Sequence, residues 1–343
     1  MFYKISFDEV ITTQTIYSKI LPQLHKYFRS DSRRELDILI DFTNVEYINP
    51  NVIPNILAIG LILKNFYLHP VRLFIPWKPK LLSYLFDINF LTIVRKYNIF
   101  KIYEENVGDF PINCMNSEYR TYYFENGTNK EDIRYDLQKS ISVIRNLYEG
   151  KSSDEYDDEL KKIIYIFTEV CHNSSNHSEG MCFATFQSNI NENVKYKKAY
   201  ISISDCGIGY YNSLLKKIEN NDFIPIMCNK HEFLELKANK NFIAIIEAMY
   251  FRRSSTNYGL FHVISAVMAA NGVVRIHSED TQIIITNKFY EEYLKDLNFE
   301  DKQKINILLE CFKIGENNNF SNVRNYDNKY KGVHLELEIP IHR

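Results

Sequence analysis

The stretch Phe167–Gly180, FTEVCHNSSNHSEG, sets Glu169, Asn173 and His177 at intervals of four. On a helix four residues advance about 400° and about 6 Å, so the three polar groups stack into one stripe with a drift of about 40° per step. Just upstream, Ile163, Ile166, Phe167 and Val170 fall on the neighbouring face. The pattern predicts a helix that packs one side on a sheet and turns its polar edge into a cleft. A carboxylate one turn before an amide and two turns before an imidazole suits a base and a divalent cation. Ser178 and Gly180 stop the helix close to His177, which reads as a cap or packing residue in preference to a ligand.

Upstream of the stripe, apolar positions at helical spacing predict a helix from Lys130 to Tyr148. Ser152 three residues before Glu155, with Asp154, Asp157 and Asp158, marks the start of the helix that carries the stripe. Downstream, strands are expected at Cys182–Ser188 and Lys198–Ser204, then a long insertion over about 210–257 and a helix from Gly259 to Ala270. Strands at Val273–Ser278, Thr281–Thr286 and Val333–Ile339 follow. Upstream, ELDILIDF (Glu35–Phe42) is a buried-type strand, Asn51–Phe66 a helix, Val71–Ile75 a strand, Lys80–Asp87 a helix and Ile99–Tyr103 a strand. Such alternation implies βαβ units on a mostly parallel or mixed sheet. Pro111, Asn113, Asn116, Asn126 and Gly127 make 108–129 the expected linker. The chain thus divides into units at 1–107 and 130–343, an α/β (α+β) protein.

Bulk properties narrow the function classes. A hydrophobic fraction of 45% over 343 residues is that of a globular protein. With 41 basic and 43 acidic residues and a net charge of -2, no overall field attracts nucleic acid or an anionic membrane, so neither partner is expected. The six cysteines form no CxxC pair and no secretory leader precedes them, which points to reduced thiols and a cytoplasmic protein. The longest apolar run, around Val52–Leu63, falls short of the roughly 20 residues a membrane span needs.

Four segments in order, FTEVCHNSSNHS, SDCGIG (Ser204–Gly209), NYGLFHVISAVMAANGVVRIHS (Asn257–Ser278) and KGVHLELEIPI (Lys331–Ile341), resemble the GHKL (histidine kinase-like, Bergerat fold) ATPase family. That family includes gyrase, sensor histidine kinases and the anti-sigma-factor serine kinases. The resemblance covers about 128–343 and implies an α/β sandwich that binds ATP and Mg²⁺. Glu169 and Asn173 match the helix motif, Asp205, Gly207 and Gly209 the DxGxG loop, and Gly259 and Leu260 the second glycine box. In that box Asn257 replaces the first glycine, and Asn tolerates left-handed backbone better than most residues. The insertion at about 210–257 takes the place of the ATP lid. At its end Arg252 and Arg253, with Ser254, Ser255 and Thr256, are either phosphate contacts or solvated lid charges. LDILIDFTNVEYINPNVIPNIL (Leu36–Leu57) resembles the STAS (anti-sigma-factor antagonist) pattern, implying a mixed sheet with helices and a protein partner. In signalling members a serine at the following turn accepts phosphate; here that turn is Asn49, Pro50, Asn51, with no hydroxyl.

The residues suit the chemistry that the resemblance implies. Asn173 offers Mg²⁺ a neutral oxygen, and the metal takes its other ligands from phosphate and water. Glu169, one turn away, is placed as general base toward water or a hydroxyl. Asp205, at the end of an apolar strand, suits an adenine amino group, with Gly207 and Gly209 letting the backbone pass beneath the base. Gly259 opens a helix at Leu260 whose unpaired amides suit phosphate. Three functions follow from the resemblance: a nucleotide-dependent switch with slow hydrolysis, a serine/threonine kinase of the anti-sigma type, or a nucleotide-gated module without turnover. The helix from Lys130 carries no His and no transducer domain follows the last strand, which disfavours a sensor histidine kinase and a gyrase-like machine. A homodimer is possible, since family members often dimerise.

Overall fold

A computed structural model of the chain describes residues 2–29, 37–102, 120–138, 153–177, 179–189, 197–236, 240–251, 259–297, 306–308, 310 and 322–341. Two sheets with their own buried cores divide these residues. The first is formed by β1 (Phe2–Ser6), β3 (Asp37–Asp41), β5 (Val71–Phe74) and β6 (Phe100–Ile102) in the order β1-β3-β5-β6, and all its pairings are parallel. Among the described residues it is therefore parallel throughout, which fits the strand–helix alternation and corrects the mixed sheet that the STAS resemblance implies. A small ribbon pairs β2 (Val10–Ile11) with β4 (Tyr47–Ile48) beside it. Helical segments α1 (Thr13–Thr15) and α2 (Leu21–Arg29), joined through a π-helical turn at Ile16–Ile20, and strand β1 are additions to the elements expected from the sequence.

Helix α3 (Ile53–Tyr67) explains itself by its neighbours. Its sequence, IPNILAIGLILKNFY, is apolar on nearly every side, and Ile53 through Leu61 are all buried. A helix buried all round needs cover on both faces. It packs on β5 and β6 of its own sheet and on β8 (Cys182–Asn189) and β9 (Lys197–Asp205) of the second. Asn49 accepts the amide N–H of Asn51 at 3.0 Å and caps the 3-10 turn that leads into α3. The helix expected at Lys80–Asp87 is present as α4 (Pro79–Asp87), and a further helix, α5 (Phe90–Lys96), follows it before β6.

The second sheet is antiparallel, in the order β10-β11-β9-β8-β7, with β7 (Arg120–Phe124), β10 (Val273–Ile285) and β11 (Val323–Ile341). Two expectations are corrected here. The linker does not extend to 129, because Arg120–Phe124 pairs with β8 as an edge strand; its RTYYF run is of strand-forming residues, hidden between Asn- and Gly-rich stretches. Nor is 210–257 a single lid. Helices α8 (Gly209–Glu219), α9 (Lys230–Glu235) and α10 (Lys240–Tyr250) occupy it, and α10 buries Phe242, Ile245, Ile246 and Met249 in the core. Helices α6 (Lys130–Gln138), α7 (Ser153–His177) and α11 (Leu260–Ala269) complete the layer. The remainder of the helix expected to reach Tyr148, and the Ser152 cap, lie outside the described residues. Among the described residues no helix is long and apolar enough to cross a membrane, and Cys171, Cys182, Cys206 and Cys228 are free thiols.

The two units share a buried polar seam. Strand β9 alternates: Ile201 and Ile203 belong to the second core, while Ser202 faces the 3-10 turn before α3 and Ser204 faces α3 itself. Ser202 Oγ donates to the Asn51 carbonyl at 2.5 Å, and Ser204 Oγ lies 2.6 Å from His334 Nδ1. His334 Nε2 bonds Glu336 Oε1 at 3.0 Å, and Thr13 donates to the same carboxylate. Tyr17 stacks on His277 with ring centroids 3.8 Å apart and planes 5° from parallel.

Candidate functional site

Glu169 and Asn173 of the stripe line a cleft. Ile163, Ile166, Phe167 and Val170 are buried in the second core, so α7 turns its polar edge outward from the sheet. Glu169 is buried, with 6% of its surface exposed, yet it lies on the cavity wall beside Asn173. Its Oε1 accepts from Lys130 Nζ, an ion pair between α7 and the first residue of α6. Asn129 fixes that helix start: its Oδ1 accepts the Asp132 amide at 2.9 Å, and its carbonyl the Ile133 amide at 3.2 Å. His172 also lines the cleft, and burial, reinforced by the charge of Lys130, holds its imidazole below the ordinary histidine range. The backbone of His177 ends α7, and its side chain lies outside the described residues.

Asp205 ends β9 directly opposite Cys182 of β8 and is 2% exposed. Its Oδ1 accepts two backbone amides, from Gly207 at 3.0 Å and Val333 at 3.2 Å. Burial pushes the carboxyl up to about 7, and the two amides oppose that rise. The second amide depends on Gly332, at φ 104°, where an added Cβ would stand 2.1 Å from the Asp205 carbonyl oxygen. Neither Gly332 nor the Val333 amide figured among the expected site residues. Gly207, expected beneath the base, is not among the residues that line the cavity and contributes its amide to Asp205. Gly209, at φ 74°, makes the left-handed turn that starts α8 and lines the cavity itself.

The third wall is the N-terminus of α11. Gly259 caps it in extended conformation without any side-chain hydrogen bond, and both Gly259 and Leu260 line the cavity. Helix α10 closes the side with Ala248, followed by Phe251. The preceding residue, Glu247, is fully buried and accepts the amides of Ile226 and Met227 at 2.6–3.0 Å, pinning the loop ahead of α9. Burial raises its carboxyl to about 6 against those amides.

Glu169, Asn173, Asp205, Gly209, Gly259 and Leu260 therefore bound one cavity of about 560 Å³. Small-molecule sites run roughly 300–1,000 Å³. Arg253 and Asn257 lie outside the described residues. Lys130, His172 and Lys217 join the lining without having been expected there; Lys130 is 39 residues from its partner Glu169, and no local spacing signals the pairing. Among the described residues no group of three His, Cys, Asp or Glu side chains is placed to hold a metal. The donor chemistry fits a cation that brings most of its own ligands: one neutral amide oxygen, from Asn173, with water or phosphate supplying the remainder. No family model, curated protein or solved structure matches the chain.

Proposed function

We propose that the cavity binds Mg-ATP in the manner of the GHKL family, and that the chain is a cytoplasmic nucleotide-dependent switch with slow hydrolysis. The supporting observation is the convergence of three separated segments, carrying Glu169 and Asn173, Asp205 and Gly209, and Gly259 and Leu260, on one cavity. Asp205 Oδ1 is committed to two amides, which leaves Oδ2 to accept from an adenine amino group. The open first turn of α11 supplies amide donors and a positive dipole end to the phosphates. Asn173 holds Mg²⁺, whose charge offsets that of the phosphates. Glu169 accepts a proton from water as the water oxygen bonds the terminal phosphorus and the bond to the β-phosphate oxygen breaks, giving ADP and phosphate. Asp205 and Ser204 are consecutive on β9, one on the cavity and the other in the seam with the first unit. Nucleotide occupancy is thereby felt by the STAS-like unit, the surface proposed to meet a protein partner.

The test is incubation with Mg²⁺ and γ-labelled ATP, wild type against Glu169→Ala, alone and with lysate. Release of labelled phosphate by wild type and not by the variant supports the switch with turnover. Label transferred to a second protein replaces hydrolysis with kinase activity, and binding with neither outcome removes turnover.

A further inference from the structure

The geometry assigns to Lys130 a ligand-exchange role: its ammonium, paired with Glu169, moves to the terminal phosphate of a nucleoside triphosphate when one binds. This rests on the nucleotide reading of the cavity and adds a residue that the motif resemblance does not contain. Three observations carry it. Lys130 Nζ pairs with Glu169 Oε1, and both side chains line the cavity. The lysine side chain is 42% exposed against 8% for the carboxylate, so the lysine is the partner with room to move and Glu169 the fixed one. Its backbone is held at the first position of α6 by the Asn129 cap, so the flexible four-carbon stem alone must travel.

Placement fixes which end of the ligand it meets. Asp205 defines the base end, and Glu169 sits one helical turn from Asn173, which holds the metal and phosphates. A lysine on Glu169 is therefore at the phosphate end. The exchange has a chemical consequence. While Lys130 occupies Glu169, that carboxylate is engaged as an acceptor. When the ammonium transfers to phosphate, Glu169 is released to take a proton from the attacking water. Proton acceptance is thus tied to the arrival of a terminal phosphate.

The experiment measures binding of adenosine, AMP and Mg-ATP by calorimetry to wild type, Lys130→Ala and Lys130→Arg. Removing one charge-assisted phosphate contact is expected to weaken Mg-ATP about ten- to a hundred-fold. Adenosine and AMP should bind Lys130→Ala within two-fold of wild type, and Lys130→Arg should recover most of the loss. If Lys130→Ala binds Mg-ATP as tightly as wild type, or loses adenosine to the same extent, the exchange role is overturned. Absence of any nucleotide binding to wild type would instead overturn the function proposed for the cavity, which separates the two failures.

Discussion

Replacing Asp205 by Asn should make the protein more stable and, on the proposed function, abolish adenosine binding. The amide keeps an oxygen in place of Oδ1, so the Gly207 and Val333 hydrogen bonds survive, while the charge is removed from a site only 2% exposed. The sign follows from linkage. The folded carboxyl, raised by burial, titrates near 7 against 3.8 for the ordinary group. Between those values the native protein holds a proton that the unfolded chain has lost, so wild-type stability falls as pH rises through the window. A separation of roughly three pH units corresponds to about 4 kcal/mol, nearly all of it present at pH 8 and about 2 kcal/mol at pH 5. Urea unfolding of both proteins at the two pH values reads this directly, with adenosine calorimetry alongside. An Asp205→Asn protein whose advantage over wild type does not grow from pH 5 to pH 8 would refute the claim that desolvation of this carboxylate dominates its energetics.

Adenosine carries no group that titrates between pH 6 and pH 8, so its affinity for wild type should rise about ten-fold over that range as Asp205 ionises, and calorimetry at each pH checks it. Gly332→Ala forces a side chain into a left-handed backbone and against the Asp205 carbonyl; a loss of about 3 kcal/mol in denaturant unfolding is expected, with weakened adenosine binding. In the seam, His334→Ala leaves the buried Glu336 carboxylate short of its main partner and should cost about 3 kcal/mol, with a coupling above about 1 kcal/mol in a double-mutant cycle with Glu336→Gln. Glu247→Ala orphans the Ile226 and Met227 amides, at about 2 kcal/mol, and should expose the loop ahead of α9 to limited proteolysis.

The local chemistry of the site was legible wherever one element carries it. Glu169 and Asn173 share a helix, and the four-residue spacing alone puts them on one edge. Asp205 and Gly209 share a strand end and the turn after it, and Gly259 and Leu260 a helix start. What remained hidden are contacts made between elements. Lys130 meets Glu169 across two helices, and Gly332 matters because β11 passes close to the Asp205 backbone. The alternation HLELE in β11 reads as one buried and one solvated face, yet His334 and Glu336 are buried because the first unit covers that face. Strand β7 and helix α10 had readable patterns, RTYYF and NFIAIIEAMY, which were masked by the Asn-rich neighbourhood of one and the lid expectation for the other.

The cavity between α7, the end of β9 and the start of α11 is proposed as an ATP site. Equilibrium binding of Mg-ATP to wild type, Asp205→Asn and Asn173→Ala tests it most directly, with folding of each variant verified by its unfolding curve. Saturable binding by wild type, weakened at least ten-fold in both variants, is the predicted result. Wild-type affinity retained by both variants, or no binding by wild type, contradicts it.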